Sequence, residues 1–255
     1  MSLSKIQDQG TRPPSRQSTK NRFRNDYQNG FRIRMQPNPD VERLLAELLP
    51  NPDHVWAAAK IFKQGTRTHA GQIVLSGKRY FFKRYNIFGP WYRLRYLFKP
   101  SRAQKTWLTS WFFWVMQLPV PEPLICLEER PYGLLRRSYI LMELLEGAEK
   151  LSCLWSGLSR EDKLLVLVKF SEILGRMHRQ GCTHGDLKWD NILLRWAGKE
   201  PELVLVDLDG GSVSAWNLKR RARNDINRFR RDLQRYEPDP VLQGRFPVAD
   251  QKWMS

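Results

Sequence analysis

Cysteine is scarce: the 255-residue chain holds three, Cys126, Cys153 and Cys182, far apart and never as a CxxC pair. That excludes a disulfide framework and a thiolate metal site, and points to a reduced, cytosolic protein. Long apolar runs are missing as well. The apolar stretch 107–118 has 12 residues, whereas a membrane-spanning helix needs about 20, so it reads as a buried helix. The amino terminus lacks the apolar core of a secretory signal. Acidic residues are short by comparison with basic ones, 26 Asp and Glu against 43 Lys and Arg, a formal charge of +17. Such an excess predicts an anionic partner: nucleic acid, a phosphorylated sugar or an anionic membrane surface. The ten Trp suit all three, because aromatic and basic side chains serve base stacking and the lipid headgroup zone alike.

What is present is enough for a core. Hydrophobic residues make up 41% of the chain, and its length suits one large domain or a small two-lobed one. Residues 1–38 are polar, basic and read as a mobile arm. Residues 39–49 predict a short helix capped by Asp40, with Val41, Leu44, Leu45 and Leu48 on one face. From Val55 to Tyr85 the pattern turns strand-like, with a hairpin about Gly77. A helix over 101–117 opens at Ser101, and strands follow at 124–128 and 138–143. Residues 160–180 form an amphipathic helix with Leu164, Leu167, Val168, Ile173, Leu174 and Met177 inward, ended by Gly181. After it come a loop, strands at 192–195 and 203–206 about a turn at Gly198, and a basic helix over 217–236. The order predicts an α+β fold: a small β-rich lobe over 39–145 and a reduced helical lobe over 146–255.

The strongest chemical signal is His184-Gly185-Asp186-Leu187-Lys188-Trp189-Asp190-Asn191, lying between a helix and a hairpin. Sixteen residues after Asn191 stands Asp207, closing Leu203-Val204-Leu205-Val206 and followed by Leu208-Asp209-Gly210. Phosphoryl transfer from ATP needs a carboxylate beside the acceptor hydroxyl and oxygen ligands that fix magnesium against the phosphates. A loop Asp, an amide five residues on and a second Asp at the end of a buried strand supply those parts. His178 reads as a packed helix-end residue, and His54 and His69 as surface residues.

The two segments resemble the catalytic loop and the metal-binding Asp of the protein-kinase superfamily. The resemblance implies a two-lobed protein-kinase-like fold using ATP and Mg2+. It makes Asp186 the catalytic base, Lys188 a cation near the transferred phosphate, and Asn191 and Asp207 the magnesium ligands. Gly185 stands where eukaryotic protein kinases have Arg, a variant more like small-molecule and sugar kinases. Lys83, ending Tyr80-Phe81-Phe82-Lys83, resembles the strand Lys that holds ATP phosphates. The segment 139–145 resembles the strand leading to the hinge, where main-chain groups near Glu143 and Leu145 would hold adenine. Lys63-Gln64-Gly65-Thr66-Arg67 resembles the phosphate-covering turn but lacks a GxGxxG pattern. One part is missing: between Trp91 and Pro121 there is no Asp or Glu to serve as the usual helix partner of the Lys. Gln104 or Asp207 is left to hold it.

The 48 residues after Asp207 contain no Ala-Pro-Glu-like anchor of the kind that holds a peptide substrate. They contain instead a helix with Leu218, Ala222, Ile226, Phe229, Leu233 and Tyr236 on one face and Arg and Lys over the rest. With the strand Lys, Ser101-Arg102-Ala103, Val120-Pro121, the His-Gly-Asp-Leu loop and the Val-Asp-Leu-Asp strand end, this resembles the lipopolysaccharide core kinase family over about residues 60–236. The family resemblance implies phosphorylation of a Kdo or heptose sugar of the core on lipid A, at the inner face of the cytoplasmic membrane. It implies no nucleic-acid partner. The basic stretch 91–99, with Trp91, Tyr92, Tyr96 and Phe98, is a candidate for contact with that anionic surface. A kinase of a soluble small molecule and a pseudokinase scaffold are the competing readings. The late basic helix argues against a cationic acceptor such as an aminoglycoside.

Overall fold

The computed structural model of the chain describes residues 23–49, 51–87, 89, 96, 97 and 99–246. Most of the arm expected over 1–38 and most of the stretch 91–99 lie outside the described residues.

The part of that arm that is described is a strand pair. Strands β1 (Arg24–Gln28) and β2 (Phe31–Met35) pair antiparallel about Asn29-Gly30, both at positive φ, 52° and 79°. Two such residues make the turn whose twist matches a hairpin. Phe31, Ile33 and Met35 are buried, with Arg32 and Arg34 between them, so alternation was present beneath the basic composition. Helix α1 (Pro39–Leu48) is capped by Asn38, whose side chain accepts the Asp40 N–H, rather than by Asp40. Asp40 lies in the first turn, where a carboxylate favours the helix dipole. A second short helix, α2 (Pro52–Ala57), replaces the strand character expected from Val55.

Strands β3 (Lys60–Gln64), β4 (Thr68–Leu75) and β5 (Lys78–Tyr85) follow, the last two joined at Ser76-Gly77, also both at positive φ. Helix α3 (Arg102–Val115) starts at the Ser101 cap, whose side chain accepts the Gln104 N–H. Strands β6 (Pro123–Glu129) and β7 (Arg137–Glu143) complete an antiparallel sheet in the order β1-β2-β6-β7-β5-β4-β3. The two-residue period of a strand divides the central strands between two cores. Ile125, Leu127, Tyr139 and Leu141 pack with Val41, Leu44, Leu45 and Leu48 of α1. Cys126 and Ile140 point the other way, to Ala103, Trp107 and Trp111 of α3. Of the apolar stretch 107–118, Trp107 and Trp111 cover the sheet while Phe113, Met116 and Leu118 join the core of the second half, and among the described residues no helix is long and apolar enough to cross a membrane.

The second half opens with β8 (Glu149–Lys150) and α4 (Leu151–Leu154), then α5 (Arg160–Arg179). Val166, Leu167, Phe170, Ile173, Leu174 and Met177 form the buried stripe of α5. Val168, expected inside, is 51% exposed: it lies off the 3.6-residue stripe that Phe170 and Met177 define. Beyond Gly181 come β9 (Cys182–Thr183), β10 (Ile192–Ala197), β11 (Glu200–Leu205) and β12 (Ser212–Val213). Helices α6 (Leu218–Tyr236) and α7 (Pro240–Arg245) close the described chain. Phe170 of α5 stacks on Phe229 of α6 with centroids 4.3 Å apart, so the basic helix is anchored by its apolar face.

Candidate active site

Three apolar residues of β11, Leu203, Val204 and Leu205, are buried and carry the chain to Asp207. There φ turns to 62° and ψ to 55°, a left-handed conformation that Asp tolerates better than most residues. The Val206 N–H donates to the Asn191 carbonyl at 3.0 Å, which ties the strand end to the loop carrying Asp186.

That loop is held from inside. His184 is fully buried, with Nε2 3.0 Å from the Val206 carbonyl and Nδ1 3.3 Å from the Asp186 N–H. One nitrogen must accept and the other donate, so the ring is neutral with its proton on Nε2. Burial pushes its pKa below the ordinary value, in the same direction. From α6, the buried Asp225 accepts the N–H of His184 at 2.8 Å on one oxygen and that of Gly185 at 2.8 Å on the other. His178 Nε2 lies 3.5 Å from the same carboxylate, a packed helix-end residue as expected. Trp189 N–H is held likewise by Asp232, about two turns further along α6.

Gly185 explains its own identity. Its φ is +82°, and a Cβ there would stand 2.2 Å from the Gly210 carbonyl oxygen. Backbone packs where the Arg of eukaryotic protein kinases would place a side chain. Gly185→Ala is expected to destabilise the protein by about 3 kcal/mol, from the left-handed strain and the forced separation of two backbones. Denaturant unfolding of the variant against the parent checks this; an unchanged midpoint would refute the close approach.

The expected catalytic side chains do converge. Asp186 forms an ion pair through Oδ1 with Arg228 of α6. Its Oδ2 lies 3.3 Å from Asn191 Nδ2 and 3.4 Å from Lys188 Nζ. Asn191, buried, also donates to the Asp186 carbonyl at 2.9 Å, so its amide oxygen is the atom turned elsewhere. Lys83 crosses from β5 to Asp207, 2.7 Å from Oδ1.

The missing helix carboxylate is replaced from another direction. Asp209, two residues past Asp207, lies 3.1 Å from Lys83 Nζ through Oδ1. The same oxygen accepts the hydroxyls of Tyr85 and Thr106, each at 2.8 Å, and Oδ2 accepts Arg102 at 3.0 Å. Helix α3 therefore offers a guanidinium and a hydroxyl, and the carboxylate comes from the loop after β11. Burial alone would raise the Asp209 carboxyl, but Lys83 and the two hydroxyls outweigh it and hold it below the ordinary range.

Glu143 ends β7, where its N–H donates to the Glu122 carbonyl at 3.0 Å. That bond uses the donor, leaving the Glu143 carbonyl and the half-buried Leu145 on the segment between the two halves. The turn through Gly65 joins β3 to β4 at the sheet edge, closed by Gly65 N–H to Thr68 O at 3.0 Å. His54 is exposed, and His69 is half-buried against Trp56.

Sequence reasoning quoted Asp209 and Arg102 within motifs but gave them no role, and it passed over Asp225, Arg228 and Thr106. Asp225 did carry a signal: it falls within the apolar stripe of Ala222, Ile226 and Phe229, where a carboxylate must find donors.

Residues 93–253 match the family described as "Lipopolysaccharide kinase (Kdo/WaaP) family". A 3-deoxy-D-manno-octulosonic acid kinase of Xylella fastidiosa (strain 9a5c) is 39% identical over 107 residues, 42% of this chain and 40% of that protein. Another, from Stenotrophomonas maltophilia (strain R551-3), is 34% identical over 151 residues, 54% of this chain and 55% of that protein. The chain thus matches between about two fifths and just over half the length of these curated relatives. Among solved structures, "WaaP in complex with acyl carrier protein" superposes with a TM-score of 0.61 over 88% of this chain and 94% of that one. Its identity is only 16%, so it speaks for the fold alone. With the lobed fold, the loop and strand-end carboxylates and a match over more than half its length, the chain belongs to the lipopolysaccharide kinase (Kdo/WaaP) family.

Proposed function

We propose that this protein is an ATP-dependent kinase that phosphorylates a sugar hydroxyl, of Kdo or heptose, in the lipopolysaccharide inner core. One observation carries the reading: Lys83 of β5, Asp186 and Asn191 of the loop before β10, and Asp207 after β11 come from three separate segments and are joined by short polar contacts into one site. ATP is the phosphate donor. Lys83 would meet its phosphates, and the Glu143 carbonyl and Leu145 main chain would face adenine. Asp186 would take the proton of the acceptor hydroxyl as its oxygen attacks the γ-phosphorus. The bond from that phosphorus to the β–γ bridging oxygen breaks, and its electron pair leaves with ADP. Lys188 would balance charge on the group in flight.

The donors also fit Mg2+, a hard cation that takes oxygen ligands. Asp207 offers a carboxylate and Asn191 an amide oxygen, and the Val206–Asn191 main-chain bond fixes their carriers together. Among the described residues no cluster of three or more His, Cys, Asp or Glu could hold a metal unaided. Phosphate oxygens would complete the coordination, as is usual for magnesium bound with a nucleotide. Bound there, the ion would neutralise charge on the phosphates.

The acceptor on lipid A places the work at the inner face of the cytoplasmic membrane. Trp216, 78% exposed, and the exposed Lys219, Arg220 and Arg223 at the start of α6 suit an anionic headgroup layer. The test is mass spectrometry of core oligosaccharide from cells with and without the protein. Loss of one core phosphate on deletion is expected; an unchanged phosphate pattern would reject the acceptor.

A further inference from the structure

The ion pair between Arg228 and Asp186 has a consequence for acceptor choice. Asp186 is already oriented without it: Asn191 holds both its carbonyl and its Oδ2, and Asp225 holds the loop before it. Oδ1 is the carboxylate oxygen left for an acceptor hydroxyl, and the Arg228 guanidinium occupies it. Arg228 is 43% exposed, on a helix fixed to the catalytic loop through Asp225 and to the core through Phe229. Its base is anchored, and its head pairs with Asp186 at a part-exposed position. Two turns earlier on the same face, Arg221 reaches the Gly210 carbonyl at 3.3 Å, so a second guanidinium borders the same cleft.

We infer that Arg228 is the residue that recognises a carboxylate on the acceptor sugar, and that its pairing with Asp186 is the acceptor-free state. The inference rests on the kinase reading above. A guanidinium gives up one carboxylate readily only for another anion, because leaving it unpaired over a carboxylate-lined cleft costs a charge-assisted hydrogen bond. An acceptor that carries a carboxylate on the same sugar ring takes Arg228 in exchange and uncovers Oδ1 for the hydroxyl proton. A neutral sugar offers nothing in exchange and leaves Oδ1 covered. The site is thereby built for an acidic sugar in preference to a neutral one, which selects Kdo over heptose. The exchange also couples the availability of the base to the presence of the acceptor.

The test compares two acceptors with the full-length protein and magnesium-ATP: a Kdo glycoside and the same glycoside with its carboxylate converted to the carboxamide. The native protein is expected to favour the acid in kcat/KM by roughly 10- to 100-fold, the range of a hydrogen bond to a charged group. Arg228→Gln should bring that ratio close to one, and Arg228→Lys, which keeps the charge but not the fork, should keep part of it. A merely structural Arg228 would lower both acceptors together and leave the ratio intact, which would overturn the inference, as would a native protein that treats the two alike. Failure to phosphorylate either glycoside while ATP is bound would overturn the kinase reading itself, a result separate from equal use of both.

Discussion

Asp186→Asn is expected to lower kcat for phosphate transfer by about 10³-fold, within the range that a positioned general base supplies. The Asn side chain has the same shape and can still receive the Asn191 amide. It cannot take a proton from a sugar hydroxyl. Magnesium-ATP affinity should change little, because Lys83, Asp207 and the Glu143 segment are untouched. The fold should survive as well: the pair with Arg228 is more than a third exposed on both sides (34% on the Asp186 side), and such pairs are worth about 0–1 kcal/mol. Steady-state transfer kinetics beside nucleotide titration separate these effects. A variant that loses ATP binding and keeps its residual turnover would place Asp186 in the nucleotide site instead.

The second large effect is expected at Asp209. In Asp209→Asn the single amide oxygen cannot satisfy four donors, and the new NH2 group is left facing Lys83, Tyr85, Thr106 or Arg102. Removing one partner of a largely buried, hydrogen-bonded charge cluster costs about 3 kcal/mol. Two losses should follow: a lower melting temperature, and a KM for ATP raised about 10- to 100-fold as Lys83 loses its second anchor. Gln104→Ala, by contrast, is expected to leave ATP use near the parent value, because Lys83 is met by Asp207 and Asp209. If Gln104→Ala weakens ATP use and Asp209→Asn does not, the replacement of the helix carboxylate by Asp209 is wrong.

The catalytic loop and strand end were legible because their chemistry is local. Asp186 and Asn191 lie five residues apart, and Asp207 closes an apolar strand whose burial anyone can read. The β4–β5 hairpin and the Ser101 helix start were legible for the same reason: a turn or a cap is written in adjacent residues. Partnerships between distant segments were not. Asp209 meets residues from β5 and α3 more than a hundred positions away, and no spacing rule reaches that far. Arg228 was one Arg among many on a helix, and only its turn toward Asp186 separates it from its neighbours. The hairpin at the amino terminus was missed for a different reason. Arg and Asn residues hid a period of two in Phe31, Ile33 and Met35, although Asn29-Gly30 was a sound turn signal. Asp40 reads as a cap from the sequence, but the chain conformation puts Asn38 at the cap and Asp40 in the first turn.

The central claim is that three segments assemble a site transferring the γ-phosphate of ATP to a core sugar. Its most direct test is incubation of the purified full-length protein with magnesium and γ-labelled ATP on a Kdo-bearing lipid A acceptor, with Asp186→Asn beside it. Label on the sugar in the parent reaction, and about a thousandth of that rate in the variant, is the predicted result. No label on the sugar, or equal label from both proteins, would contradict it.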